Sequence, residues 1–155
     1  MATRDIDRGW ESIKRRVFGL RGASVVAGLV AGQGGDKAHE ESDLTIAEIG
    51  IVHEFGSRKA HIPERSWMRS TEAERRRVWF KLVEEGLGEM LTPKGPTIEQ
   101  LLTPVGLIME SDLKRKITSL QTPPLAESTK RRKGSSNPLI DTGAMRNSVT
   151  WEIRR

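Results

Sequence analysis

Residues 97–120, TIEQLLTPVGLIMESDLKRKITSL, carry the clearest structural signal in the sequence. Thr97 and Gln100 have the spacing of a capping box, in which the hydroxyl and the carboxamide each accept a backbone N–H left free at a helix start. Ile98, Leu101, Leu102, Val105, Met109, Leu113 and Ile117 then fall on one helical face, predicting a helix to about Leu120 that Pro104 bends near its first turns. Working back along the chain, Thr71-x-x-Glu74 repeats the capping pattern. It predicts a second long helix to about Leu91, with Val78, Leu82, Val83, Leu87 and Met90 inward, ended by residues 92–96. Residues 23–31, ASVVAGLVA, form a short valine-rich run between Gly22 and Gly32, and the length suits a buried strand. Residues 148–153 alternate Val149, Trp151 and Ile153 against Thr150 and Glu152, a half-buried strand.

Two further helices are expected. Ile6, Trp10, Ile13, Val17 and Leu20 make one stripe between Asp5 and Leu20, with Trp10 as a core anchor and Gly19 and Gly22 as the stop. Asp43 is expected to cap a helix from Leu44 that turns Leu44, Ala47, Ile51, Val52 and Phe55 to one side and stops at Gly56, although the same residues also tolerate a strand. The sum is an α+β fold: a single domain over residues 1–155, with a small, mainly antiparallel sheet packed by three or four helices. Long flexible loops are expected at about 32–42 and 121–138, where glycine, proline, serine and charge predominate.

Composition narrows the function. With no cysteine there are no disulfides, thiolate metal sites or cysteine nucleophiles. The N-terminus lacks a basic segment followed by an apolar core, and no apolar run approaches the roughly 18 residues of a membrane span. Neither a signal peptide nor a membrane span is expected. Lys and Arg number 26 against 21 Asp and Glu, a net charge of +5 with both signs interspersed, which is weak support for a nucleic-acid ligand. Hydrophobic content of 35% is low for a self-sufficient globule, and burial between subunits would supply the remainder.

No catalytic constellation emerges. The glycine-rich residues 32–35 lack the Gly-Lys-Ser/Thr ending of a phosphate loop. His53-Glu54 is not followed by a second histidine at position 57, which is Ser57, so the helical zinc motif is missing. His39, His53 and His61 would have to converge in space to hold a metal. No serine lies in a nucleophile elbow, and no carboxylate pair stands apart from the solvated charges. The expectation is a non-enzyme without metal or cofactor.

Two segments, however, occur together. The first runs Ile46-Ala47-Glu48-Ile49-Gly50-Ile51-Val52-His53-Glu54-Phe55-Gly56 and then Ile62-Pro63-Glu64-Arg65-Ser66-Trp67-Met68-Arg69. The second runs Pro124-Leu125-Ala126-Glu127-Ser128-Thr129-Lys130, a basic spacer, and then Pro138-Leu139-Ile140-Asp141-Thr142-Gly143-Ala144-Met145-Arg146-Asn147-Ser148-Val149. In order and separation they resemble the virion-morphogenesis and tail-completion proteins of long-tailed phages, in which a helix ending His-Glu-Phe-Gly leads to an Ile-Pro-x-Arg turn and an Asp-Thr-Gly motif precedes a last strand. Residues 1–43 and 70–120 fit by architecture alone.

The resemblance implies a structural subunit of the head–tail junction, a tail-completion, tail-terminator or neck protein, with no catalytic residues. It would form a homo-oligomeric ring, expected as a hexamer, that finishes the tail and meets the head connector or stopper and the tail tube. Its place would be the virion, assembled in the bacterial host cytoplasm, with passing contact to phage DNA. Arg58, Arg65, Trp67, Arg69, Lys130, Arg131, Arg132 and Lys133 are the interface candidates, since Trp and Arg dominate interface energetics. Trp67 has an equal alternative as a core residue folded back over the domain. Gly56 and Gly143 supply turn freedom, Pro63 stiffens its loop, and Asp141 is expected to cap a short turn at residues 142–147. His53 and Glu54 read as structural. The alternative function is a DNA-binding accessory protein using the 130–133 cluster and the basic loop from Arg58 to Arg69.

Overall fold

A computed structural model describes residues 9–39, 42–133 and 135–155. The chain runs α1 (Trp10–Gly19), β1 (Ser24–Gly28), α2 (Ile46–Phe55), α3 (Met68–Met90), α4 (Ile98–Ser119), α5 (Glu127–Lys133), α6 (Ala144–Asn147) and β2 (Thr150–Arg154). The fold is α+β, with a single two-stranded antiparallel sheet among the described residues. Ser24 pairs with Arg154 and Gly28 with Thr150, so the first and last regular segments of the core close on each other.

The central element is α4, which packs on α3 and on both strands. Its capping box forms as expected, with Gln100 N–H donating to the Thr97 hydroxyl at 3.3 Å and Thr97 N–H to the Gln100 side chain at 2.9 Å. Six of the seven residues in its expected inner face are buried, and Met109 is half-buried. Pro104 lies in the helix on an exposed position. Toward the start of α4, Leu101 and Leu102 join Met90 and Ile98 in one apolar cluster. Toward its end, Leu113 and Ile117 join Ile46, Trp67, Leu139, Met145 and Val149 in another. Between them Gly106 meets the Trp151 ring, where a Cβ would come within 2.2 Å of the indole.

Several expected details change, each for a local reason. Helix α2 starts at Ile46, because Thr45 and Glu48 form a complete capping box and leave Asp43 no role in it. Its buried face is Ile46, Gly50 and Glu54, whereas Leu44, Ile51 and Phe55 are exposed. Gly50 lies on the inner side because Leu29 and Trp67 crowd the place a side chain would take. Helix α3 begins at Met68, and Thr71, expected as its cap, is buried within it with its hydroxyl donating to the Trp67 carbonyl at 2.6 Å. Val78 is exposed, and of the inner positions expected for α3 only Met90 is fully buried.

Trp10, expected as a core anchor, is 61% exposed, and α1 buries no residue. Polar contacts hold it instead: the Arg16 guanidinium donates to the Gly95 and Thr92 carbonyls, each at 2.6 Å. Ile6 of the expected stripe lies outside the described residues. The stretches expected as flexible loops also carry structure. Gly35 and Ala47 are joined backbone to backbone at 2.8 Å, Lys37 accepts from Ile46 at 2.9 Å, and residues 127–133 are the helix α5. Asp141 caps nothing, since the Thr142 hydroxyl accepts from Ala144 N–H at 3.3 Å and Gly143 enters α6 at φ 83°.

Gly106→Ala should therefore cost about 2 kcal/mol or more, because close-packed elements resist an added carbon. Gly88→Ala, on the same scaffold with nothing within 4 Å of the new carbon, should be neutral or gain up to about 1 kcal/mol from helix propensity. Urea denaturation of the two variants side by side measures the difference.

Candidate functional site

Both distinctive sequence segments converge on the surface around α2, and Glu54 explains the first of them. Its carboxylate is buried at the C-terminal end of α2 and accepts hydrogen bonds from Met68 N–H (2.8 Å), Arg69 N–H (3.1 Å), the Ser66 hydroxyl (2.8 Å) and Arg69 Nε (2.9 Å). Those backbone donors are among the first of α3, so α2 caps α3 in trans; a carboxylate is favoured there because free N–H groups and the helix dipole both attract negative charge. Burial pushes the Glu54 carboxyl pKa up, but the bonds from Met68, Arg69 and Ser66 outweigh it and hold the group below its ordinary value. Arg69 also pairs with Glu64 at 2.7 Å and stacks on Phe55 at 4.7 Å. Gly56, at φ 72° and ψ 173°, opens the return turn; a side chain there would meet the backbone of Ile62 and Glu64.

The turn brings Arg65 back beneath the second segment. Its N–H donates to the His53 carbonyl at 2.8 Å, and its guanidinium donates to the carbonyls of Pro123 (2.8 Å) and Pro124 (3.2 Å). A cleft of about 860 Å³ opens here. One wall is α2 and residues 60–65, the other is residues 124–133 and 138–145. Ile49, Val52, Leu125 and Leu139 give it an apolar lining, and Arg65, Arg132 and Lys133 add positive charge along it. Asp141 is the one carboxylate among the described residues that line it. Neither Arg65, Arg132 nor Lys133 lies within ion-pair distance of a carboxylate among the described residues.

His53 faces the same cleft, and its Nδ1 is buried without a hydrogen-bond partner. Burial first, then the positive charges of Arg65 and Lys133, lower its pKa to about 4, so the ring is neutral at pH 7. Lys133 is lowered as well, by burial and by Arg65 and Arg132, with Asp141 acting in the opposite direction. His39 and His61 also border the cleft, yet among the described residues no group of three or more His, Asp or Glu is placed to hold a metal. The arrangement is suited to receiving an anionic group beside apolar surface.

Of the interface candidates, the structure gathers Arg65, Arg132 and Lys133 in this cleft, with the turn residues Pro63, Asp141 and Gly143 on its lining. Two candidates are corrected. Trp67 is 1% exposed, donating from Nε1 to the Gly50 carbonyl at 3.2 Å, so it is the core alternative that holds. Arg65 is 3% exposed and is no surface contact. Arg69 is engaged by Glu54 and Glu64, and Lys130 pairs with Glu127 at 2.7 Å. Arg58, Arg131 and Arg132 are exposed.

Sequence reasoning passed over the capping role of Glu54 and the placement of His53. It also passed over Asp112, a buried carboxylate on α4 that accepts from Arg75 Nε and Trp79 Nε1, each at 2.9 Å, and clamps α3 to α4. Neighbouring charges on one helix give no sign of which carboxylate is buried. Among the described residues no helix is long and apolar enough to cross a membrane. Compared with protein-family models, with curated proteins and with solved structures, the chain matches none.

Glu54→Ala should destabilise the fold by about 3 kcal/mol, since it leaves partly buried donors and the Arg69 charge without their acceptor, and Glu54→Gln by about half as much. Chemical denaturation reads both. His53 has a folded pKa below its unfolded value of 6.5, so as pH falls the unfolded chain takes up the proton first. Its contribution is complete above pH 6.5 and is lost as pH falls toward about 4. The loss amounts to at most about 3 kcal/mol. His53→Gln should flatten this part of the stability–pH curve, and an unchanged slope would show that His53 does not set it.

Proposed function

We propose that the chain is a structural subunit of a phage virion, a tail-completion or neck protein that assembles in the host cytoplasm into a homo-oligomeric ring between head connector and tail tube. The resemblance of residues 44–153 supplies the class. The structural observation that supports ring assembly is the presence of exposed apolar side chains at both ends of α3, besides Phe80 (62%) at its middle; the helix is about 33 Å long at 1.5 Å per residue. At its N-terminal end α2 exposes Ile51 (58%) and Phe55 (60%). At the other end Trp10 (61%), Phe18 (58%) and Leu91 (59%) are exposed, on α1 and just after α3. Head-to-tail rings need two different patches on each subunit, so that one end of a copy meets the other end of the next. Large apolar side chains left in water on both ends fit that requirement.

Of the cations that a DNA-binding reading enlists, Arg65 is buried and Arg69 and Lys130 are ion-paired, which makes that reading the weaker one. Purified protein should form rings in negative stain, and a labelled copy should mark the head–tail junction of virions. Trp10→Ser and Phe55→Ser should each abolish rings while changing subunit stability by no more than about 0.5 kcal/mol, as expected of exposed positions. A compact monomer that leaves no label on virions would overturn the proposal.

A further inference from the structure

We propose that the cleft between α2 and α5 is a docking groove for an extended peptide segment of a partner protein, one that places an acidic side chain beside Arg132 and Lys133 and apolar side chains against Ile49 and Leu125. The inference is independent of ring formation, because the patches invoked for the ring lie on α1, just after α3 and on the exposed side of α2.

Three observations converge on this occupant. The first is charge. Arg132 and Lys133 of α5 line one cleft with Arg65 buried behind them, and among the described residues its lining holds a single carboxylate, Asp141, and none of the three cations is ion-paired. Unpaired cations at the mouth of a cleft gain from an incoming anion, since charge-assisted hydrogen bonds are about twice as strong as neutral ones. The second is the orphaned Nδ1 of His53, a polar atom withdrawn from water inside the same cleft. Buried polar atoms without partners are rare enough to call for one, and a peptide backbone or side chain entering the groove provides it. The third is the apolar lining from Ile49, Val52, Leu125 and Leu139.

A nucleic acid satisfies only the first. Among the described residues the only aromatic rings lining the cleft are the imidazoles of His39, His53 and His61, with no Phe, Tyr or Trp to stack a base, and a phosphate backbone makes no use of the aliphatic lining. The combination of aliphatic lining with a few convergent polar groups is that of a peptide or small-ligand site. Elements of the two walls differ in how they are held. α5 has no buried residue of its own, so that an occupant contacting both α2 and α5 would fasten this wall to the body.

The test uses the full chain, labelled with nitrogen-15, and fluorescent hexapeptides that alternate Asp or Glu with Leu, Ile or Val. Isosteric Asn and Gln versions, a single-stranded oligothymidine and a short DNA duplex serve as comparisons. Acidic peptides should bind by fluorescence anisotropy and shift amide signals of Val52, His53, Leu125 and Lys133, with the neutral versions at least tenfold weaker. Arg132→Glu should weaken the acidic peptide at least tenfold, whereas Arg131→Glu, on a neighbour that does not line the cleft, should leave it within twofold. His53→Phe should also weaken binding with the fold retained, as judged by the amide spectrum. Equal binding of neutral peptides, tighter binding of either DNA through the same cleft signals, or no cleft signal moved by any acidic peptide at millimolar concentration would each overturn the proposal.

Discussion

The Glu54 carboxylate is the constraint on which the surrounding structure depends. Helix starts leave backbone N–H groups without partners, and α3 has no capping side chain at its own N-cap residue, Trp67. The need is met from another helix, by a buried carboxylate that accepts from Met68, Arg69 and Ser66. Because one group must reach all these donors, the end of α2 and the start of α3 are held at a fixed separation. The residues between them have to close a tight return, which Gly56 makes possible by adopting a conformation that a side chain would block. Trp67 is thereby driven inward against Gly50, and the domain acquires the larger of its two apolar clusters.

The same closure builds one wall of the cleft. Once the chain has returned, Arg65 lies under Pro123 and Pro124 and ties the segment after α4 to the segment after α2. The second wall, with α5, Leu139 and Asp141, is then set opposite α2. Lys133 helps to hold it, donating to the Asn137 carbonyl at 3.2 Å, while Asn137 reaches the Thr118 carbonyl at 2.8 Å. Charge and burial thus follow from connectivity: the cations belong to elements with separate structural duties, and burial first, then the charges of Arg65 and Lys133, depress the pKa of His53.

The low apolar content noted in the sequence has a visible counterpart. The interior divides into two modest clusters along α4, joined at the Gly106–Trp151 contact, while large apolar side chains of α1, α2 and α3 remain in water. Polar clamps take over some of the work of a larger core. Asp112 draws Arg75 and Trp79 of α3 onto α4, and Arg16 attaches α1 through backbone carbonyls alone. Such bonds fix geometry while leaving apolar faces uncovered.

What the sequence by itself determined is whatever depends on neighbours within a few turns. The capping box of α4, its buried face, the two strands and the stop at Gly56 all follow from periodicity and from local backbone chemistry, and they were legible. So was the importance of the two segments around residues 46–69 and 124–149, though as a pattern and without a reason. The tertiary structure decided which face of α2 goes inward, where α3 begins, that Trp10 stays exposed while Trp67 is buried, and that Arg65, Arg132, Lys133 and His53 share one cleft. The physical reason is that burial and pairing are properties of distance in space. The helical period of α2 allows either face, and only the demand of α3 for an acceptor at Glu54 selects the one that turns in.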